Sequence, residues 1–168
     1  MMRLFTAITF DASAKDRLSR HIAALKKSGA EGRFTRHDNL HLTLAFIGEY
    51  PDPQFVMDAL EAVSFRPFVL RLNGFGNFGD LWWAGMEDSA PLAAIVRRIR
   101  RALGDAGIPF DRKRFSPHIT LIRRADGRMP GINVEKVEMT VSGISLMRSD
   151  RGRNGMIYTE IGIKEAEQ

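Results

Sequence analysis

The chain of 168 residues contains no cysteine. This absence excludes a disulfide framework, a thiol nucleophile and a thiolate metal site. The sequence also lacks an apolar run near the roughly 18 residues that a membrane helix requires, and its first ten residues lack the pattern of a signal peptide. We therefore expect one domain spanning residues 1–168, soluble and located in the cytoplasm.

Acidic side chains are fewer than basic ones, with 20 Asp and Glu against 25 Lys and Arg. The resulting formal charge of +5 favours a polyanionic partner such as RNA, bound in a salt-sensitive way. A solvated basic surface without such a partner explains the same charge equally well. Charge alone therefore leaves the partner open.

One four-residue pattern occurs twice, as His-Leu-Thr-Leu at 41–44 and His-Ile-Thr-Leu at 118–121. In a strand, successive side chains point to opposite faces, so the histidine and the threonine of each tetrad share one face and the two aliphatic side chains the other. The two tetrads use half of the four histidines in the chain. His21, inside a predicted helix, and His37, in a polar connection, have no comparable partner, and we assign them no role.

Periodicity and capping signals predict alternating strands and helices. Residues 30–39 read as a polar connection, and the glycine-rich residues 74–80 as a turn or a bulged strand rather than a phosphate loop. Three amphipathic helices are predicted to begin after Ser13, Asp52 and Ser89; we assign the arginines on the outer face of the third to a solvated surface. The predicted strands are 3–10, 40–47, 68–72, 81–86, 115–124, 134–147 and 155–163, the last two joined by a charged turn at 148–154.

Spacing relates the two tetrads to each other. His41 follows Leu4 by 37 residues, His118 follows Leu81 by the same distance, and each interval reads strand, helix, polar connection and His-Thr strand. The sequence therefore predicts an internal repeat of about 77 residues, with a His41 half and a His118 half. Related halves commonly pack about a pseudo-two-fold axis, which would set the tetrads face to face.

Two facing His-Thr pairs suit acid-base chemistry on a compact anion. The unperturbed imidazole pKa of about 6.5 allows one copy to be neutral and the other protonated near pH 7, and threonine hydroxyls can donate to phosphoryl oxygens. Opening a cyclic phosphodiester fits this arrangement. Structural histidines and a two-histidine metal site are the alternatives, although neither tetrad contains a carboxylate that would serve as a third ligand.

The doubled pattern resembles the two-histidine phosphoesterase superfamily, and most closely the bacterial RNA 2′,3′-cyclic phosphodiesterases once named 2′-5′ RNA ligases. The similarity also includes residues 2–5, residues 39–44 with Phe46 and Gly48, residues 83–85 and 115–121, and the late Ser149, Gly155 and Tyr158. It implies a bilobed, pseudo-two-fold α+β fold in which two antiparallel sheets line a central cleft and helices pack outside. It also implies hydrolysis of a 2′,3′-cyclic phosphate to a 2′-phosphate, without a metal or other cofactor.

The resemblance also implies residue roles. His41 would be the proton donor to the 3′ oxygen and His118 the proton acceptor that activates water, with Thr43 and Thr120 holding the phosphate. The residues themselves leave open which histidine is the acid.

A basic residue five positions after the second histidine is a further family feature, and Arg123 matches it. Strict alternation puts Arg124 on the His118 face instead, so a bulge or the strand end must intervene for Arg123 to bind substrate. Relatives often carry a basic residue where this chain has Asp80, which puts the preference for RNA length or end in question.

The expected partner is RNA, or a small cyclic nucleotide, with a 2′,3′-cyclic phosphate, and we expect a monomer with no membrane partner. Two further functions remain open. One is 2′-5′ RNA ligation, the same chemistry in reverse, and the other is a non-catalytic module that binds RNA ends.

Overall fold

The structure is a computed structural model that describes residues 1–127, 130–131 and 136–168. The described residues form α-helices α1 (Ala12–Lys27), α2 (Pro53–Leu60) and α3 (Ala90–Asp105), and strands β1 (Met2–Thr9), β2 (Glu31–Phe34), β3 (His41–Tyr50), β4 (Phe68–Phe78), β5 (Leu81–Met86), β6 (Ile119–Asp126), β7 (Val137–Val141), β8 (Gly143–Gly152) and β9 (Gly155–Glu165). A short 3-10 helix at His37–Asn39 precedes β3.

The strands form two antiparallel sheets. The first has the order β3-β1-β8-β9 and the second the order β2-β6-β5-β4-β7. Helix α1 packs beside β7, and helix α3 packs beside β3. Helix α2 contacts α3 and β9. The predicted α+β class with two antiparallel sheets is thus the observed one.

The core is built from the aliphatic faces that the tetrads predict. Leu42 and Leu44 of β3 are 0% and 2% exposed, and Ile119 and Leu121 of β6 are 0% and 1% exposed. All four belong to one buried cluster that also contains the inward stripe of each helix. Since these side chains face the core, the histidine and threonine between them face the other way.

Helix starts follow the capping signals with one correction. Asp11, and not Ser13, caps α1, since its carboxylate accepts a hydrogen bond from the Ala14 amide at 2.8 Å. Asp52 caps α2 with Pro53 in its first turn, and Ser89 caps α3. Both acidic and hydroxyl side chains can cap a helix N-terminus. Asp11 is the cap because it is the residue directly before α1, whereas Ser13 lies inside the first turn. In the described part of the chain, no helix is both long and apolar enough to cross a lipid bilayer.

Two connections were predicted wrongly. Residues 30–39 contain β2, which pairs with β6, although its four residues are too polar and too few to carry a strand pattern. The charged residues 148–154 are not a turn, because β8 continues to Gly152 and the hairpin closes at 153–154. Side chains along this end of β8 can stay partly exposed, so polar and charged residues are tolerated there. The alternation of apolar and polar residues, on which a strand prediction depends, is therefore missing.

The predicted strand 134–147 is also two strands, β7 in the second sheet and β8 in the first, while Val134 and Glu135 lie outside the described residues. Strand β6 begins at Ile119 rather than at residue 115, since Pro117 lacks an N–H for a ladder. By contrast, the glycine-rich segment is a bulged strand as expected, the continuation of β4 to Phe78.

The two strands that carry or adjoin the tetrads have corresponding neighbours in their sheets. In the first sheet β3 pairs with β1, which pairs with β8, and in the second β6 pairs with β5, which pairs with β4. Strands β3 and β6 therefore hold matching places, and they contact each other across the two sheets. That the halves are an internal repeat stays a prediction, which these pairings support.

Candidate active site

The tetrads lie at corresponding points of their strands. His41 is the first residue of β3, and His118 directly precedes β6. Both histidines and both threonines are partly exposed, while the aliphatic residues between them are buried. The four polar side chains are thus directed away from the core.

A bulge in each strand changes the face of the residues that follow. Against β1, Thr43 and Ala45 of β3 have partners and Leu44 between them has none; against β5, Thr120 and Ile122 of β6 have partners and Leu121 has none. An extra residue reverses the alternation beyond it. For β6 the consequence is that Arg123, rather than Arg124, follows Thr120 on the strand face that carries the tetrad threonine.

Backbone contacts orient both imidazoles in the same way. Nδ1 of His41 lies 2.6 Å from the Asn39 carbonyl oxygen, and Nδ1 of His118 lies 2.7 Å from the Ser116 carbonyl oxygen. A carbonyl oxygen only accepts, so each Nδ1 carries the hydrogen. In the neutral ring, Nε2 is then the basic nitrogen on both sides.

The two rings differ in their neighbours. Phe5 and Tyr158 flank His41, with ring centroids 5.1 and 5.0 Å away, and its Nε2 lies 3.0 Å from the Thr43 hydroxyl oxygen. His118 has one aromatic neighbour among the described residues, Phe78, with a centroid distance of 5.1 Å. His41 is therefore the more enclosed of the two.

This enclosure lowers the pKa of His41. The main cause is burial, which removes water from the charged ring; the Asn39 carbonyl opposes it, and the charges of Arg123 and His118 add to the lowering. The charges of Arg123 and His118 thus act on the His41 ring, which places the three groups in one electrostatic neighbourhood. In the absence of an anion, the neutral form of His41 is favoured.

A cavity of about 630 Å³ opens beside His41. Its walls include Thr43 and Arg123 together with Phe5 and Tyr158, whereas His118, Thr120 and Arg124 lie outside its lining. Arg124 instead lines a neighbouring cavity. The side of the site that carries His118 is the more open one.

Sequence reasoning assigned no role to the aromatic and backbone supports of the site, although several of them are among the residues that carry the family resemblance. Phe5, Phe78 and Tyr158 come from three different strands, and only the fold brings them to the histidines. Asn39 and Ser116 could have been found, since both stand two residues before a histidine. Asp80 lies exposed in the β4–β5 turn, where its carbonyl oxygen accepts a bond from the Ala125 amide.

Among the described residues, no group of three or more His, Cys, Asp or Glu side chains is placed to bind one ion. The His41 cavity is lined by imidazole, hydroxyl and guanidinium groups and also by the carboxylates of Glu49 and Asp150. The first three kinds of group can donate hydrogen bonds to an anion.

Solved structures share this fold over nearly the whole chain. Escherichia coli LigT in complex with 3′-AMP superposes with a TM-score of 0.83 at 28% identity, covering 99% of this chain and 98% of that one. TT0787 of Thermus thermophilus gives a TM-score of 0.80 at 28% identity, covering 99% and 100%. The α+β fold with two antiparallel sheets expected from the sequence is confirmed.

Sequence comparison places the chain in the same group. The model of the 2′-5′ RNA ligase superfamily matches residues 14–153, and the chain belongs to this family. A protein of Escherichia coli K12 named RNA 2′,3′-cyclic phosphodiesterase is 30% identical over 168 residues, covering 95% of this chain and 93% of the relative. The resemblance stated from the sequence, to a family of hydrolases, is confirmed.

Two further relatives carry the same name. That of Thermus thermophilus is 36% identical over 142 residues, covering 71% of this chain and 68% of the relative. That of Geobacillus stearothermophilus is 31% identical over 135 residues, which are 75% of this chain but only 43% of the relative. The match thus spans less than half of that last protein's length.

Proposed function

We propose that this protein hydrolyses the 2′,3′-cyclic phosphate end of RNA to a 2′-phosphomonoester by two-histidine acid-base catalysis. The observation that carries the proposal is the matched pair of imidazoles, each with Nδ1–H bonded to the carbonyl two residues upstream. This bond leaves each Nε2 for proton transfer. The names of the relatives support the same substrate.

The reaction begins at phosphorus. Nε2 of His118 takes a proton from a water molecule, whose oxygen forms a new bond to phosphorus. The bond from phosphorus to O3′ breaks, and Nε2 of His41 gives its proton to the departing O3′. The product carries a 2′-phosphate and a 3′-hydroxyl, and solvent restores the original protonation of both rings. Each proton transfer contributes about a hundred- to ten-thousand-fold in rate.

The remaining polar groups stabilise the charge that develops on phosphorus. The Arg123 guanidinium lines the His41 cavity and offers a planar fork that fits two phosphoryl oxygens. Thr43 and Thr120 offer hydroxyl donors from the two sides of the site. Donors held in place before the reaction stabilise the transition state most, because they need no reorganisation during it.

Substrate binding must also charge His41. Its lowered pKa favours the neutral ring in the free protein, whereas a proton donor must start protonated. A cyclic phosphodiester brings a negative charge beside the ring, which raises the pKa. The Thr43 hydroxyl, now 3.0 Å from Nε2, is then free to turn towards the phosphate. Acid and base are assigned here on family resemblance.

We further propose that the protein acts as a monomer in the cytoplasm, on RNA ends or small cyclic nucleotides. Gel filtration with light scattering tests the monomer, and fractionation of the source cell tests the compartment. A dimer mass or a membrane-bound fraction would contradict the respective proposal.

Product analysis tests the chemistry. Purified protein is incubated in a chelator with an oligoribonucleotide that ends in a 2′,3′-cyclic phosphate, with and without a 5′-hydroxyl acceptor. We expect the 2′-phosphate product, unchanged by the chelator. Loss of activity on chelation would refute the metal-free mechanism, and a 2′-5′ joined product would favour ligation. Salt-sensitive binding without any conversion would favour a binding module.

A further inference from the structure

A second cavity, of about 720 Å³, lies next to the His41 cavity. Five of its lining residues are arginines: Arg33, Arg36, Arg123, Arg124 and Arg151. No carboxylate is present in its lining among the described residues, whereas Glu49 and Asp150 line the His41 cavity. The volume is within the range of ligand pockets, and the concentration of guanidinium groups fits a polyanion.

The two cavities adjoin each other. Arg123, Arg151, Met156 and Tyr158 line both of them. One of these shared residues, Tyr158, packs edge-on against the His41 ring. A ligand held at His41 can therefore extend past Tyr158 into the arginine-lined cavity.

This cavity has a defined framework. Arg36 Nη2 and Asn39 Nδ2 both donate to the Met156 carbonyl oxygen at 2.8 Å, which ties the start of β9 to the 3-10 helix. The carbonyl of the same Asn39 accepts the hydrogen bond from His41. The cavity wall and the His41 ring are thus supported by one residue.

Two features of the arginines cost stability in the free protein. Arg33 and Arg123 are directly opposite partners in the β2–β6 pair, where like charges repel. Arg124 has a φ of +51°, the only positive value outside glycine among the described residues, and this conformation is uncommon for such a side chain. None of the five arginines forms an ion pair with a carboxylate of the described chain. A bound anion would relieve the repulsion.

The arginines on the outer face of α3 differ from those of the cavity. On α3, Arg98 donates to the Ser64 carbonyl oxygen, Arg100 donates to the Lys113 carbonyl oxygen, and Arg101 lies 4.0 Å from the Asp105 carboxylate. These contacts agree with the solvated-surface interpretation of that helix. The arginine-lined cavity therefore fits a nucleic-acid backbone better than this helix face does.

We propose that the arginine-lined cavity binds the phosphodiester backbone of the nucleotides that precede the cyclic end. The proposal rests on the function proposed above. A 2′,3′-cyclic phosphate occupies both lower oxygens of the last ribose, so the RNA chain continues only through its 5′ oxygen. The path from the His41 cavity past Tyr158 provides the room for that continuation, and the enzyme accordingly prefers oligonucleotides to mononucleotides.

Steady-state kinetics on substrates of two lengths test the preference. The wild type is compared with Arg33→Gln and Arg124→Gln, which lie outside the His41 cavity lining, and with Arg97→Gln on the outer face of α3 as a matched charge control. The substrates are adenosine 2′,3′-cyclic phosphate and a tetraadenylate with the same end. A lost charge-assisted hydrogen bond costs about 1.5 kcal/mol or more, which is about tenfold.

We expect Arg33→Gln and Arg124→Gln to lower kcat/KM on the tetranucleotide about tenfold and to leave the mononucleotide unchanged. Unchanged mononucleotide hydrolysis also demonstrates that the variants fold. We expect Arg97→Gln to affect neither substrate. An absence of length preference in the wild type, or an equal loss on both substrates, would overturn the proposal.

Binding of the reaction product separates this proposal from the proposed function. If neither substrate is hydrolysed, the proposed function is wrong. The proposal for the cavity is then tested by the affinity of the wild type and the variants for oligoadenylates of one to four residues that end in a 2′-phosphate. Affinity that rises with length, and falls in Arg33→Gln together with a salt slope smaller by about 0.7, supports it. Affinity independent of length refutes it.

Discussion

His41 and His118 occupy matching positions but different surroundings. Each donates from Nδ1 to a carbonyl oxygen two residues upstream, at 2.6 and 2.7 Å, and each precedes a bulge three residues later, at Leu44 and Leu121. The local sequence thus sets the same tautomer and the same direction twice. What differs is the set of neighbours, and the aromatic ones come from other strands.

Two aromatic rings enclose His41, whereas one packs against His118. Only His41 has a threonine hydroxyl within hydrogen-bonding distance of Nε2 among the described residues, and burial lowers its pKa. Equal imidazoles in equal environments would hold protons equally and could not divide the work of acid and base. The difference in surroundings therefore gives a fold with matched halves an asymmetric site.

The largest effect is expected from removing either imidazole. His41→Ala and His118→Ala should each lower kcat/KM on a cyclic phosphate about a hundred- to ten-thousand-fold. A nitrophenyl phosphodiester distinguishes the acid from the base, because its leaving group, nitrophenolate, departs without being protonated. We expect its hydrolysis to survive much better in His41→Ala than in His118→Ala, measured by nitrophenolate absorbance. The reverse ranking would exchange the acid and the base.

A smaller effect concerns β2, the strand that borders β6. A Cβ on Gly32 would lie 2.9 Å from the carbonyl oxygens of Arg123 and Arg124, at a φ of +144°. We expect Gly32→Ala to lower the free energy of unfolding by about 1–3 kcal/mol and to reduce activity through displacement of Arg123. Denaturant titration measures the first and steady-state kinetics the second.

Gly29→Ala is the matched control for that variant. Gly29 also has a positive φ, +96°, but a Cβ there has no atom within 4 Å. We expect a loss of only about 1 kcal/mol with activity retained. Equal stability losses in the two variants would mean that the close approach of β2 to β6 does not matter.

The features that His41 and His118 share can be predicted from the sequence, whereas the aromatic neighbours that distinguish them cannot. Both His-Thr pairs, the bulge needed for Arg123 and the i−2 carbonyl contacts depend on neighbours in the chain, so residue spacing can reveal them. Phe5 and Tyr158 reach His41 from strands that are distant in sequence, and no local pattern predicts that meeting. The helix stripes and most strands were predictable for the same reason, whereas β2 was not, since it is stabilised by pairing with β6.

Threonine substitutions should give an intermediate effect and sharpen the contrast between the halves. Thr43→Val removes a hydroxyl bonded to His41 Nε2, so we expect about a fivefold loss of kcat/KM, equivalent to about 1 kcal/mol, and an altered pH profile. Thr120→Val should lower kcat/KM by a similar factor but leave the pH profile unchanged. Identical pH profiles for the two variants would contradict a specific Thr43–His41 contact.

The smallest effect expected is a change in the titration of His41. Tyr158→Ala exposes one side of the ring, so its pKa should rise towards the ordinary value of about 6.5. Phe78→Ala, the matched change beside His118, should leave the pKa of His41 unaltered. Imidazole proton chemical shifts against pH measure both, and an equal response to the two variants would remove burial by Tyr158 as the cause.

The same pKa has a consequence for stability. Because folding lowers the pKa of His41, the unfolded chain binds more protons at this residue as pH falls. The contribution of His41 to stability is therefore fully present above a pH of about 6.5 and is lost as pH falls through the folded-state pKa. In Tyr158→Ala this loss should be smaller than in the wild type, as measured by denaturant titration across that range. The aromatic wall that makes His41 unlike His118 thus disfavours its protonation until an anion binds.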